Sequence, residues 1–401
     1  MIGEAGIGKS RLVTELRQRV EAVRTLPGPP DEPPLQWVEG RCLSYGGASA
    51  YLPWLDVLRK LLGLSADTAS LVTADALQAR VRALCSGEAP EVHPFLAQML
   101  SLPLTGAAEE RLRGLDAKGL QVLTFRAVET LVTCAACRQP LVVVCEDLHW
   151  ADPTSIALLE QLLAVTDRTP LLLICVFRPE TAHPCWGIKE AAARRYHHRH
   201  TDLWLAPLTA AAGETLVKNL LRVSSLPPGL LQRILEHAEG NPFFVEEIIR
   251  SLIDASALVY DERTGRWQAT QNVDDIALPD TLHRVLAARV DRLPGEAKRV
   301  LQLASVIGRI FGYRVLAEIA GAERQLDDCL LTLQREQMIR ERARVPELAY
   351  SFKHHLTQEA VYSGLLLRER RETHRRAAEA LERLYPDRVE EQLGLLAHHW
   401  E

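Results

Sequence analysis

Apolar positions change their period several times along the chain, and each change marks an element. Leu12, Val13, Leu16, Val20 and Val23 recur at helical spacing, and "LPGPPDEPP" at 26–34 ends that helix in a Pro-rich loop. "QWVEGRC" reads as a short strand, and "YLPWLDVLRKLLG" returns to helical periodicity as far as Gly63. Residues 65–118 mix helix and turn. Positions 120, 123, 127 and 131, flanked by 125, 128 and 132, then predict an amphipathic helix from Leu120 to Cys134. Beyond it the period disappears. "LVVVC" (141–145) and "LLLICVF" (171–177) are unbroken apolar runs of strand length, the pattern of parallel strands covered on both faces. "ADPTSIALLEQLLA" lies between them as a crossover helix, with Asp152 as its cap and Pro153 at its first position. Strand, helix and strand at this spacing predict a right-handed βαβ unit. "LWLAPLT" at 203–209 reads as one more strand closing the sheet.

From residue 209 the strands stop and amphipathic helices run to about 256, including "GNPFFVEEIIRSLI", which starts on Asn241 and Pro242. "LVYDERTGRWQAT" has the form of a hairpin turning on Thr264 and Gly265. Helices follow from 281 to 336, and then a two-stranded element, "MIRER" with "LAYSFKH". Helices with small hairpins over this length predict a winged-helix unit. Past 356 two amphipathic helices follow, "RRETHRRAAEALERL" and "RVEEQLGLLAHHW".

Composition narrows the classes. The 401 residues are 47% hydrophobic and 25% charged, ordinary for a soluble globular chain of two to four domains. A formal charge of -5 gives no global basic field to gather nucleic acid or anionic membrane. No apolar run approaches the roughly 18 residues that span a bilayer, and residues 1–13 lack the regions of a signal peptide. The expectation is a cytoplasmic protein. Eight cysteines are too sparse for a disulfide scaffold, and several sit in apolar strands, so they read as reduced. Cys134 and Cys137 form a C-x-x-C inside a helical pattern, with no second pair at zinc-ribbon spacing. "HPC" (183–185) and "YHHRH" (196–200) hold soft ligands but read as surface loop.

"GEAGIGKS" fits G-x-x-x-x-G-K-[ST], with Gly3, Gly8, Lys9 and Ser10 in the diagnostic places. Glycines let consecutive amides turn inward and meet a phosphate at a helix N-terminus. Lys9 would neutralise the β and γ oxygens and the Ser10 hydroxyl would bind Mg2+. Such a loop needs an apolar strand ending in acids, because Mg2+ takes carboxylate oxygens, and "LVVVCEDLHWAD" supplies one. Either Glu146 serves the metal and Asp147 the attacking water, or the reverse. His149, Trp150 and Asp152 read as a packed loop and a helix cap.

"GEAGIGKSRLV", "GRCLSYGGASAYLPW", "LVVVCEDLHWADPTS", "LLLICVFRPE", "HAEGNPFFVEEIIRSL" and "YSFKHHLTQEAVY" together resemble the ATPase module of bacterial multidomain regulators. These are AAA-related signal-transduction ATPases with numerous domains (STAND), often fused to class III adenylate/guanylate cyclase or LuxR-type domains. The resemblance implies an α/β P-loop NTPase, a parallel sheet with helices on both faces, over 1–207. A helical lid (208–258), a winged-helix domain (259–355) and the start of a tetratricopeptide-like (TPR-like) helical repeat array (356–401) would follow. Gly3, Glu4, Ala5, Gly6, Ile7, Gly8, Lys9 and Ser10, with Arg11 beside them, match the Walker A loop, and Glu146 with Asp147 the Walker B end. Arg178 matches the sensor of the γ-phosphate. Pro242 matches the lid proline near adenine, and His354 resembles the winged-helix histidine that touches the β-phosphate of ADP. In one respect the chain departs from that pattern: only Met1 and Ile2 stand where a first strand precedes the loop. The expectation is a gap in the sheet and a chain incomplete at both ends.

The resulting expectation is a slow ATPase using ATP/ADP and Mg2+ as a signalling switch, linked to a cyclase. Its helical arm would bind protein partners, with self-association controlled by nucleotide and no membrane. Two alternatives stand beside it. One is a LuxR-type DNA-binding regulator using the winged helix or the helix at 368–383. There Arg368, Arg370, Arg371, Arg375 and Arg376 interleave with Glu369, Glu372, Glu379 and Glu382, the pattern of a solvated face rather than a DNA surface. The other is a catalytically silent scaffold.

Overall fold

The computed structural model describes residues 1–24, 34–42, 50–64, 74–221, 228–261, 266–270, 278, 281–321, 323–343, 347–386 and 389–400. Outside them lie residues 26–33 of the Pro-rich loop, 43–49 of the "GRCLSYGGASA" block, 65–73, and the turn at Thr264 and Gly265.

A parallel sheet forms the amino-terminal half: β1 (Gln36–Arg41), β2 (Leu141–Glu146) and β3 (Leu171–Cys175), in the order β1-β2-β3. All six residues of β2 are buried, and its two faces serve different cores. Val142 and Val144 pack with Val13 of helix α1 (Lys9–Arg24), while Leu141, Val143 and Cys145 join the large core on the other face. Burial on both sides is why this run lacks polar alternation.

Between β1 and β2 come α2 (Leu52–Leu61), α3 (Ala74–Cys85), α4 (Ala89–Met99), α5 (Ala107–Arg113) and α6 (Ala117–Arg138). By length and composition alone α6 would suffice to cross a membrane, a departure from the sequence expectation. Here it is a core helix: Val128, Leu131, Val132 and Ala136 are fully buried. Cys134 and Cys137 both lie on it, and all eight cysteines are free thiols. Helix α7 (Pro153–Leu162) returns the chain to β3, and Asp152 accepts from the amide of Ser155 at 2.8 Å, as the sequence predicts.

Met1 and Ile2 do more than the sequence suggests. Ile2, 1% exposed, bridges Phe177 on one side and Trp204 on the other, both in parallel. Its amide donates to Leu203 O at 2.8 Å and its carbonyl accepts from Leu205 at 2.9 Å. The loop therefore rests on a paired backbone instead of a gap. The run at 203–209 is correspondingly not a full strand: among the described residues Trp204 makes a single isolated bridge, to Ile2.

Helix α8 (Cys185–Arg195) completes this half, and three helices follow: α9 (Ala210–Leu221), α10 (Pro228–His237) and α11 (Pro242–Asp254), packed around Ile234, Val245 and Ile248. Strands β4 (Leu258–Asp261) and β5 (Arg266–Ala269) pair antiparallel as the predicted hairpin. Then come α12 (Leu282–Arg292), α13 (Gly295–Ile307), β6 (Ile310–Gly312), α14 (Tyr313–Ala320), α15 (Glu323–Arg335), β7 (Ile339–Ala343) and β8 (Ala349–Phe352). The sheet here has three strands, ordered β6-β8-β7, where the sequence predicted two. A three-residue strand such as β6 leaves no periodic signal. The chain continues in α16 (His355–Ser363), α17 (Leu367–Leu384) and α18 (Val389–Trp400). Ala377, Leu381 and Leu396 of the last two helices share one core with Leu301, Leu316 and Phe352.

One buried ion pair ties α11 to α12. Arg289 and Glu247 have side chains 3% and 1% exposed and bond directly, and Arg289 also donates to Glu336 O at 2.8 Å. Removing one member strands a buried charge, which costs about 3 kcal/mol or more. Glu247→Ala should lower unfolding stability by that order in urea titration. A change below about 1 kcal/mol would mean that Arg289 escapes to solvent.

Candidate functional site

The loop from Gly3 to Gly8 is built by conformation and by close approach. Gly6 and Gly8 have φ of +80° and +104°, in the left-handed region that side chains disfavour. At Gly6 a Cβ would also stand 2.8 Å from Asn241 Oδ1. Lys9 opens α1, is 8% exposed, and folds its ammonium back over the loop, donating to Gly3 O at 2.7 Å and Glu4 O at 2.9 Å. Burial pushes its pKa down to about 8. Arg178 adds to that shift, while Asp147 and Glu4 oppose it. Glu4, Ser10 and Arg11 face solvent, whereas Ala5 is half-buried and Ile7 buried.

Both acids at the end of β2 are held by arginines. Parallel register sets Arg41, the last residue of β1, beside Glu146, and the two side chains form an ion pair with Glu146 4% exposed. Asp147 has φ 59°, a left-handed conformation that aspartate tolerates, so the chain turns off the strand axis there. Its Oδ2 takes Arg309 Nη1 at 3.0 Å and lies 3.9 Å from Arg41 Nε. Arg309 stands between α13 and β6, 162 residues away in sequence. Burial, with Arg309 next in effect, pushes the Arg41 pKa down to about 10, and Asp147 counters both.

Arg178 is engaged from the same distant region. Its guanidinium lies 3.6 Å from Glu359 of α16, 3.8 Å from Glu180, and 5.3 Å from the centre of the Trp150 ring. Trp150 in turn packs on His355 at 4.2 Å and on His149 at 4.3 Å. His149 is buried, and burial, reinforced by Arg178, pushes its pKa to about 3. Asp147, Arg178, Lys9 and His149 thus lie within one another's electrostatic reach.

Pro242 and His354 sit one layer further out. Asn241 caps α11 through Oδ1, accepting from Phe243 at 3.1 Å and Phe244 at 3.3 Å, while its Nδ2 donates to Ala5 O at 2.9 Å. Pro242, half-buried, is the first residue of that helix. His354 packs its ring on Phe243, 4.3 Å between centres. Burial, together with Lys353 and Arg250, pushes the imidazole to a pKa of about 3.

Sequence reading missed Arg41, Arg309, Glu359 and the loop contact of Asn241. Arg41 was within reach, since sheet order alone sets it beside Glu146; the others depend on how distant helices dock. The histidines at 183–200 have other partners: His183 Nδ1 accepts from Cys185, His198 meets Asp167 at 2.9 Å, and His200 meets Asp202 at 3.2 Å.

With a phosphate-type loop, a buried lysine and an acid-ended central strand in place, comparison with known proteins bears on residues 1–174, which match the family model described as AAA ATPase domain. The amino-terminal part is an AAA-type ATPase domain. Residues 209–264 match a domain family of unknown function. The whole chain is 28% identical to part of an uncharacterised protein of Rhizobium meliloti (strain 1021) and spans 36% of that protein's length. It is 33% identical over 104 residues, 25% of this chain and 3% of the relative, to hybrid signal transduction histidine kinase G of Dictyostelium discoideum. Among solved structures it is similar to a STAND protein with a tetratricopeptide repeat sensor from Pyrococcus horikoshii. That likeness has a TM-score of 0.43 and 13% identity, over 92% of this chain and 45% of that one. The ORC1 protein of Aeropyrum pernix in complex with DNA gives 0.29 and 15%, over 88% and 92%.

Lys9 of the ATPase domain has a pH signature. Its folded pKa of about 8 lies below the usual lysine value, so the buried ammonium destabilises the fold fully below pH 8. That penalty fades as the pH rises from about 8 toward 10.5. Lys9→Met should therefore leave the ligand-free melting temperature at pH 7 unchanged or higher. The gap between variant and native protein should close by pH 10. A melting temperature several degrees lower at pH 7 would show that the two carbonyl hydrogen bonds outweigh burial.

Proposed function

We propose that this chain is a nucleotide-gated switch: a P-loop ATPase of low turnover whose carboxy-terminal helical region docks on the nucleotide site and withdraws from it on exchange. The single observation that carries this reading is that Asp147 and Arg178 are each held by the same distant region, through Arg309 and Glu359. Two residues matching nucleotide-handling positions are thereby occupied by protein in cis.

The residues fit a magnesium-bound nucleoside triphosphate. Amides of Gly3 to Ser10 around two positive-φ glycines make an anion nest at the start of α1, and Lys9 is the cation inside it. Ser10, Glu146 and Asp147 supply the oxygen set that Mg2+ prefers. When bound, Mg2+ would neutralise charge between polyphosphate and carboxylates. Arg309 occupies the oxygen that Asp147 would offer, so docking and metal binding oppose each other. Arg178 would trade Glu359 for phosphate oxygens in the same way. Pro242 lies beside the Asn241 contact to the loop, where lid movement would be felt. His354 Nε2 is buried without a hydrogen-bond partner among the described residues, as befits a group that meets a diphosphate.

In this reading 1–207 is the nucleotide domain, 208–258 the lid and 259–355 a winged helix, with 356–401 beginning a TPR-like arm for protein partners. Cytoplasmic location, nucleotide-controlled self-association and linkage to an adenylate or guanylate cyclase complete it. A relative named as a signal transduction kinase agrees with a signalling role. The DNA-binding alternative is weaker, because Arg375 pairs with Glu372 and Glu379 at 2.6 Å each and Arg370 donates to Ser363 O at 2.6 Å.

Lys9→Ala should abolish the rise in melting temperature that Mg-ADP or Mg-ATP gives the native protein; an undiminished rise would sink the nucleotide assignment. Arg309→Ala should raise ATP turnover about 5-fold or more, the low end of typical coupling energies. Glu146→Gln and Asp147→Asn should remove turnover altogether. Equal, negligible rates in all four proteins, native included, would favour the silent scaffold.

A further inference from the structure

Helices α17 and α18 carry a feature that the switch does not use. His374 on α17 faces His398 and His399 on α18, and these three form the one group of His, Cys, Asp or Glu side chains among the described residues whose ligand atoms all lie within 4.8 Å of one another. We propose that this is a three-histidine site for a divalent transition metal of the zinc class, clamping α18 onto α17.

Geometry favours an ion over stacking alone. Ring centres are 5.0 Å apart for His374 and His399, 5.2 Å for His374 and His398, and 5.4 Å for His398 and His399, a nearly equilateral triangle. Three imidazoles sharing one tetrahedral ion at about 2.1 Å would place their ring centres about 5 Å apart. His374 Nδ1 and His399 Nδ1 face each other at 2.7 Å. Insertion of an ion between them requires widening to about 3.4 Å, a small adjustment.

The surroundings match as well. His374 bonds the Tyr362 hydroxyl through Nε2 at 3.1 Å, which directs Nδ1 toward the other two histidines. A second hydrogen bond of this kind commonly orients a ligating imidazole. His399 is 3% exposed; its Nδ1 shares a hydrogen bond with His374 Nδ1, and its Nε2 has no hydrogen-bond partner among the described residues. Arg370 is the adjacent cation, and its guanidinium is turned to Ser363 O, Leu365 O and the Tyr362 ring. Three protein ligands leave one position of a tetrahedral ion for water or for a side chain from a partner. The site lies apart from the loop and does not rest on the switch reading.

The test is a titration of the chelator-treated full chain with ZnCl2 by calorimetry, with CoCl2 as the optical probe. The expected result is one ion per chain, an intense visible Co2+ band of tetrahedral type, and affinity at least 10-fold weaker in His374→Gln and in His398→Asn. His398 is only half-buried, so its variant keeps the test usable if substitutions of buried neighbours unfold the chain. Lys9→Ala should bind Zn2+ like the native protein. Unchanged affinity in both histidine variants, or absence of the tetrahedral Co2+ band, would overturn the proposal.

Discussion

Two carboxylates at the end of a strand buried on both faces must be neutralised, and that requirement organises the molecule. β2 is apolar because it is covered by helices above and below, and where it emerges Glu146 and Asp147 arrive together. Register supplies Arg41 from β1 for Glu146. Asp147, turned off the strand by its left-handed φ, looks to the far side of the cleft, where Arg309 meets it. A local electrostatic need is thus met by residues from two separate cores, and the cores are tied together at the place where phosphate chemistry would occur.

A second tie is mechanical. Asn241 uses both ends of its amide: the oxygen caps α11 and the nitrogen holds Ala5 in the loop. Gly6 must lack a side chain partly because Asn241 is there. A shift of α11 would therefore move the loop backbone, and a phosphate ordering the loop would set the position of α11. Phe243, two residues on, carries the contact to His354. Loop, α11 and the region after β8 form a chain of contacts with no long flexible side chain in it, which suits the transmission of small movements.

Much of this was legible in the sequence where local rules decide. The Asp152 and Asn241 caps depend on neighbours within four residues and the βαβ crossover on one contiguous stretch, and they appear where the pattern put them. Features fixed by docking were not legible. Arg309 follows a helix in a stretch with no periodic signal, β6 is three residues long, and Glu359 reads as an ordinary helix-surface acid. No strand of several residues precedes the loop, as expected, but the gap is bridged at one residue: periodicity needs several residues to speak, whereas Ile2 alone pairs backbone on both sides. "AHHW" was read only as the end of an amphipathic helix, because its neighbour His374 lies 25 residues away and reaches it through helix packing.

The two ion pairs that hold Asp147 and Arg178 share one origin. Both ion pairs, Arg309 with Asp147 and Glu359 with Arg178, come from one docked body, so undocking would open them together. If the docked and undocked forms differ by a few kcal/mol, the undocked form is a minor species. Splitting that energy between two pairs makes each weak enough to break while their sum holds the closed state. A single stronger pair would give the same equilibrium, but it could be lost to one protonation or one competing ion. Two pairs on opposite signs of charge, one acid and one base on the nucleotide side, resist that failure. In the proposed switch a metal would compete for Asp147 and a phosphate for Arg178, and neither alone would relieve both.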